Sequence, residues 1–422
     1  MRTIKLLLVA CCAAVLVWSL TGSRAAQMQN KATKGEDNAP AATLNVPATE
    51  APTGFDNLTN GFTSQVTFDD DKAAFAAQEG IDEGLGPVYN AQSCGECHQN
   101  PVTGGISQVS ELRAGHFNGT NFIDHPGGSL INERAVDASI QETVLAGNEV
   151  RTFRMATNVL GLGYVEAIDS NTIAGIATLQ PLQSLGFING QRITVPVLEA
   201  GNALRTGRFG WKNQNSSLLS FAADAYLNEM GITNPLLPIE NTSNGVDVNA
   251  FDGFPGVDDD GVDLGKFAEF MRSTKAPSRD AARAATPAAV SGSALFNSIG
   301  CNICHVQTIQ TAPAGTVING GAFTVPAALG DKIIHPYSDF LLHNIGSGDG
   351  IVQNGGQSTR NKVRTSPLWG LRTHSRFMHD GLSLTLTDTI ARHGGEAALV
   401  ISQYNALSNA QKNNVQAFLR SL

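Results

Sequence analysis

Cys301-Asn302-Ile303-Cys304-His305 is the stretch on which the reading of this chain turns. Two thiols three positions apart, followed directly by a histidine, form the attachment pattern of a c-type haem. Each thiol can add across a vinyl group to make a thioether, and one helical turn brings positions i and i+3 to the same porphyrin edge. The adjacent histidine then falls beneath the iron as proximal ligand. The pattern also stands 207 positions earlier, as Cys94-Gly95-Glu96-Cys97-His98. Zinc ribbons are the competing reading, but their cysteine pairs lie within a few tens of residues of each other. Here Cys97 and Cys301 are 204 apart, and both pairs carry the extra histidine. Two covalently bound haem c groups are therefore expected, one on Cys94, Cys97 and His98, the other on Cys301, Cys304 and His305.

The beginning of the chain bears on the compartment. Arg2 and Lys5 precede an apolar run from Leu6 to about Leu20, and Ser23-Arg24-Ala25-Ala26 follows. This reads as a secretory signal peptide over 1–25, cleaved after Ala25. The run is short for a transmembrane helix, so no membrane span is expected after cleavage, and the mature protein should be periplasmic or otherwise exported from a bacterium. Cys11 and Cys12 leave with the signal, which places every remaining cysteine in a haem motif. No disulfide is implied, even in an oxidising compartment. The formal charge of −9 becomes about −12 once Arg2, Lys5 and Arg24 are removed. That excludes a nucleic-acid-binding surface and suits a salt-sensitive encounter with a small soluble electron-donor protein.

Residues 26–57, rich in Ala, Thr, Asn and Pro, read as a disordered linker. An N-terminal cytochrome c-like haem domain over 58–280 and a C-terminal one over 281–422 follow, with a hinge around Ser273-Thr274-Lys275-Ala276-Pro277. The halves look repeated: Tyr89 to Cys94 matches Phe296 to Cys301 position for position. Ser293 to Phe296 reads as a helix delivering Cys301. Ser408 can cap a helix whose Val415, Phe418, Leu419 and Leu422 share one face. Val262, Leu264, Phe267, Phe270 and Met271 make a similar closing helix for the first half. The expected fold is mainly α: two cytochrome c-like haem domains with long loops, and a small β element within 179–260. Asp258-Asp259-Asp260-Gly261 with Asp263 lacks the spacing of a calcium loop and reads as a solvated cap on the next helix. No metal other than haem iron is expected.

Several stretches carry a family resemblance. They are Pro336-Tyr337-Ser338-Asp339-Phe340-Leu341-Leu342-His343, Arg364-Thr365-Ser366-Pro367-Leu368-Trp369-Gly370-Leu371, Phe377-Met378-His379-Asp380-Gly381 and His393-Gly394-Gly395-Glu396-Ala397. In the first half, Gly161 to Ile168 and Gly207 to Lys212 add to it. With these the chain resembles the di-haem oxidoreductases, relatives of bacterial di-haem cytochrome c peroxidases. In the peroxidases the C-terminal haem takes its distal ligand fourteen residues after the histidine of the Phe-x-His-Asp-Gly segment. From His379 that step lands on His393, where the peroxidases place a methionine. The resemblance thus implies His305/His393 ligation, Met378 being the alternative. It also implies an electron-relaying indole, for which Trp211 is the candidate; core packing is the plainer role. His379 and Arg364 are expected near the haem and its propionates, with Arg154 either there or at the surface.

The internal repeat gives the first haem a different distal side. Leu371 to His393 is 22 residues, and the same step from Leu162 reaches Ser184, which cannot ligate iron. An open face there makes the first haem the candidate catalytic centre, with Glu166 as acid–base group or as a structural hydrogen-bond partner. His116, His125 and Met155 are candidate sixth ligands of a closed form. The leading reading is a periplasmic oxidoreductase that passes electrons from the C-terminal haem to the N-terminal one. There peroxide is reduced, or a high-valent oxidant forms and acts on an unknown substrate. The alternative is a non-enzymatic electron carrier with both irons six-coordinate.

Overall fold

Each haem motif has one helix leading into it and another closing over it. In the computed structural model, which describes residues 47–254 and 256–422, the second motif shows this most fully. The expected signal peptide lies outside the described residues. Helix Pro287–Ser298 starts at Thr286, whose side chain accepts from the Ala289 N–H, with Pro287 in the first turn, where its missing N–H costs nothing. It gives way at Gly300, φ +91°, to the single turn Cys301–Ile303. The closing helix Asn409–Leu419 begins with a reciprocal Ser408–Gln411 capping box. Its Val415, Phe418 and Leu419 are buried, as is Leu422 beyond it.

The two helices pack in close contact. A Cβ on Gly292 would stand 1.8 Å from the Asn414 carbonyl oxygen, so only glycine permits this approach. The first motif has the same frame, with helix Gln65–Ala76 packed against helix Val262–Ser273. Leu264, Phe267, Phe270 and Met271 are buried as their spacing requires. Val262 is not: as the first helical residue it is 57% exposed.

Strands contribute more than the sequence suggests. Ser110–Phe117 is the centre of a four-stranded antiparallel sheet with Phe122–Asp124, Leu130–Ile131 and Val150–Met155. Ser110 lies opposite Met155 and Gly115 opposite Val150. The small β element expected within 179–260 is present, Thr194–Val197 pairing with Ala203–Thr206, while the larger sheet outside that range went unread. The reason is charge. Arg113 and Arg154 are buried on these strands, which hides the alternation of apolar and polar residues that reveals most strands. Eleven α-helices stand among the described residues beside these strands, so the chain is helical in frame but only partly a mainly-α protein.

The expected disordered linker over 26–57 is corrected at its end, its residues 26–46 lying outside the described residues. Thr49–Glu50 pairs in parallel with Lys332–Ile333, and Ala51 is buried. Backbone hydrogen bonds from Thr49 and Ala51 to the Asp331 and Ile333 carbonyls help to hold this segment, and composition does not disclose such bonds. The described residues belong to one compact unit. Ile309, Ile334, Phe340 and Trp369 join a core otherwise built largely from residues of the first half, while Ile188 crosses into the core around the second motif. Among the described residues no helix is long and apolar enough to cross a membrane.

Replacing Gly292 with alanine should force the two helices apart and destabilise the protein by about 1–3 kcal/mol, the range for overpacked sites. Gly265→Ala, where a Cβ meets nothing within 4 Å, is the control that should not lower the unfolding midpoint in urea.

Candidate haem sites

The chain turns so tightly at the second motif that the His305 N–H donates to the Cys301 carbonyl at 3.0 Å. The ring then meets the Tyr337 carbonyl oxygen, 3.0 Å from Nδ1. A carbonyl can only accept, so Nδ1 carries the proton and Nε2 keeps its lone pair. Tyr337 aims that carbonyl from φ +53°, a left-handed conformation costing a non-glycine residue roughly 1–3 kcal/mol. His393, just past helix Leu386–Ala391, repeats the device by donating from Nδ1 to the Thr389 carbonyl at 2.8 Å. Metal-binding histidines are commonly oriented in this way.

The rings of His305 and His393 lie 6.5 Å apart between centroids. Two imidazoles on opposite sides of one metal ion adopt this spacing: two bonds of roughly 2 Å and two ring radii. Burial pushes His305 down to about 4 and lowers His393 as well, which keeps both neutral and able to ligate.

Around them lies a cavity whose wall draws on residues from both halves of the chain. Cys301, Cys304, His305 and His393 line one part of it, and Trp211 and Met155 another. His379 is 4% exposed, lines the wall, and has no hydrogen-bond partner on either ring nitrogen. Nε2 of His374 on the same wall is likewise unpartnered. Arg364 adds a buried cation there, its Nε donating to the Gly210 carbonyl at 2.8 Å, with burial lowering it to about 10. Unpaired donors and a buried cation suit a prosthetic group that carries carboxylates. The residues fit a haem. Asp380 clasps Arg392 and so ties the His379 segment to the helix end that presents His393.

At the first motif, His98 N donates to the Cys94 carbonyl at 3.0 Å, and the ring lies 6.1 Å from Phe75. Phe296 stands 6.1 Å from His305 in the same way. Phe75 is therefore the counterpart of Phe296, and the pairing of Tyr89 with Phe296 is corrected: Tyr89 lies in a short strand. Burial lowers His98 to about 4 and leaves its Nδ1 without a hydrogen-bond partner. It also raises Cys94, Cys97 and Cys301 to about 12, as apolar surroundings do to thiols.

Glu166 sits apart from acid–base duty. Arg272 donates to both its oxygens at 2.7 and 3.0 Å, and the Leu218 N–H and Asn319 side chain bond Oε1. Burial works against its charge, but Arg272 prevails and holds it below the ordinary value. Of its two expected roles, this arrangement is the structural one. Ser184 does not report on the first haem either. Its hydroxyl bonds within its own turn, and Gln180, one turn back on the same helix, donates to the Ile303 carbonyl of the second motif.

Arg154 is neither at the surface nor unpaired. It meets Asp349 at 2.7 and 2.9 Å, and Asp349 also accepts from Lys212 Nζ at 3.0 Å. Trp211 donates to the Met155 carbonyl at 2.8 Å and stands edge-on to His379 at 6.2 Å. His116 pairs with Glu149 near the surface, and His125 accepts from the Leu145 N–H. The acidic loop caps its helix, Asp260 accepting from the Val262 N–H. Asp258 also comes within 4.8 Å of Glu240 and Asp252.

One group escaped the sequence reading. Glu111 is chelated by Arg113 at 2.6 and 3.0 Å. Burial and the neighbouring Glu111 raise Glu229 well above the usual carboxylate range. Both carboxyls act electrostatically on Cys97. Glu111 and Glu229 stand 118 positions apart, and no spacing announces such a pair.

The family described as "Di-haem oxidoreductase, putative peroxidase" matches residues 102–422. The chain belongs to the di-haem oxidoreductase family. Membership implies two haem groups. Three solved structures are similar at low identity. Hydrazine synthase of Kuenenia stuttgartiensis, pressurised with xenon, is 12% identical, over 93% of this chain and 98% of that one, with a TM-score of 0.39. A MauG-like protein associated with microbial copper homeostasis is 15% identical over 91% and 95%, with a TM-score of 0.38. The diheme peroxidase BthA from Burkholderia thailandensis is 13% identical over 92% and 94%, with a TM-score of 0.41. No curated protein matches the chain in sequence.

In this di-haem oxidoreductase, Arg272→Ala should strand a buried carboxylate and cost about 3–5 kcal/mol, measured by urea unfolding. Because the folded Glu166 titrates below the ordinary 4.5, the pair's contribution is fully present above that pH. It is lost as pH falls through the lowered value. The variant should lack this acid-side loss.

Proposed function

We propose that the protein is an exported di-haem c-type oxidoreductase. In this reading Cys94 and Cys97 attach the first haem and Cys301 and Cys304 the second. His305 and His393 would hold the iron of the second haem. When bound, the haems supply one-electron chemistry and, at an iron with a free face, the reduction of peroxide.

The observation that carries this reading is the pair His305 and His393, 6.5 Å apart, each with Nδ1 committed to a backbone carbonyl. A site closed by two imidazoles receives and hands on electrons; it does not bind substrate. The second haem is then the point where a small soluble donor protein delivers electrons. Chemistry falls to the haem at His98. Trp211, on the cavity wall and bonded to the Met155 carbonyl, is the indole we assign to assist transfer between the halves. Near the first motif burial and Glu111 raise Glu229 well above the usual carboxylate range, while Arg113 holds Glu111 below it. The Glu229 carboxyl, and not Glu166, is the proton source we assign to the first haem.

His393→Ala should convert the second haem from low to high spin in the oxidised protein, seen as a change in the Soret and near-infrared bands. An unchanged spectrum refutes the ligand assignment. In the parent protein, cyanide or peroxide should perturb one haem of the two. Oxidised protein that is wholly low-spin and inert to both would instead establish an electron carrier.

A further inference from the structure

His343 borders the second haem motif, yet the function proposed above makes no use of it. The residue is 1% exposed and lines the cavity. Its Nε2 lies 2.8 Å from Asp339 Oδ2, its Nδ1 2.9 Å from Glu396 Oε2, and Nδ1 is 3.9 Å from the sulfur of Cys304. Neither carboxylate is loose. Asp339 accepts from the Leu341 N–H and from Gln180 Nε2. Glu396 accepts from the N–H groups of Asn189 and Asn344. The fit around the ring is tight as well: a Cβ on Gly190 would stand 2.6 Å from Gln180 Oε1 and 2.7 Å from His343 Nε2.

A neutral imidazole has one N–H and one lone pair. Placed between two carboxylates, it would point that lone pair at one of them. Only the imidazolium donates to both carboxylates, so the hydrogen-bond geometry suits a cation. Burial alone would discharge it, but Asp339 reverses the balance and holds the ring protonated. Cys304, Asp339 and His343 also converge closely enough to hold a metal ion. A thioether at Cys304 removes the thiolate, however, and a doubly donating imidazole has no lone pair to give.

We propose that His343 is a potential-setting residue for the second haem: an imidazolium fixed by Asp339 and Glu396 against the sulfur that joins Cys304 to the porphyrin. This rests on the reading that Cys301 and Cys304 carry a haem. A fixed positive charge beside a haem favours the form with the extra electron, and the two carboxylates oppose it. The midpoint potential then records the balance of three charges, while Arg364, the cation facing Asp339, stays in place throughout.

The test is a mediated optical redox titration of the full-length, haem-loaded protein at neutral pH, beside the variants His343→Gln and Glu396→Gln. His343→Gln removes the cation and should lower the midpoint of the low-spin haem. Glu396→Gln removes a negative charge and should raise it. Each shift should be about tenfold in the one-electron equilibrium, or about 59 mV. Midpoints that stay put, or that move in the same direction, overturn the proposal. If His343→Gln does not retain haem, Glu396→Gln decides alone: a rise supports the proposal and any other result overturns it. Counting covalent haem by pyridine haemochrome in the parent separates the two readings. Fewer than two covalent haems refutes attachment itself, whereas two haems with unmoved potentials refutes only the role of His343.

Discussion

Two half-buried imidazoles, each with one nitrogen tied to a backbone carbonyl, stand 6.5 Å apart between ring centroids. Much of the C-terminal half serves to hold them there. One carbonyl comes from Tyr337, kept in a left-handed conformation, a strain that persists only when surrounding packing imposes it. The other comes from the turn just before His393. Helix Pro287–Ser298 brings the thiols in, and Asn409–Leu419 seals them against a glycine. If either ring turned freely, the rotational entropy to be lost on ligation would weaken it. Built this way, the orientation is settled on folding.

Much of this was legible in the sequence, for a physical reason. Covalent attachment confines its chemistry to five consecutive residues, so Cys301 to His305 declares itself. The closing helices declare themselves through the spacing of Phe418 or Phe270. The position of His393 came through family resemblance, since no local pattern connects it to His305. What stayed hidden depends on partners distant in the chain. Glu166 reads as an acid in an apolar segment until Arg272, 106 residues away, is seen clasping it. The sheet around Ser110–Phe117 was obscured because arginines are buried on its strands, Arg154 being paired with Asp349, 195 residues away. Tyr89 was matched to Phe296 by nearness to the cysteines, but the ring that meets the proximal histidine arrives from an earlier helix.

Buried charge recurs through the molecule in matched sets: Arg272 with Glu166, Arg154 and Lys212 with Asp349, His343 between Asp339 and Glu396. Such sets contribute little net stability, because desolvation offsets attraction. Their value is in specifying geometry. Asp349 accepts from Arg154 on a strand of the first half and from Lys212 beside Trp211. A shift in either would leave a charge unpaired in the interior, so the wall that carries Trp211 is held in one register with the segment that carries Asp349.

The wall of the cavity has a consequence for how the chain can be divided. Residues as far apart as Ile106 and Leu419 line it, and Trp211 and Met155 stand on it with His305 and His393. The sequence shows a hinge near Pro277 and two look-alike halves, which invites treating them as separable modules. A gene cut at that hinge would give two fragments, neither with a whole chamber for the second haem. The working unit is the undivided chain.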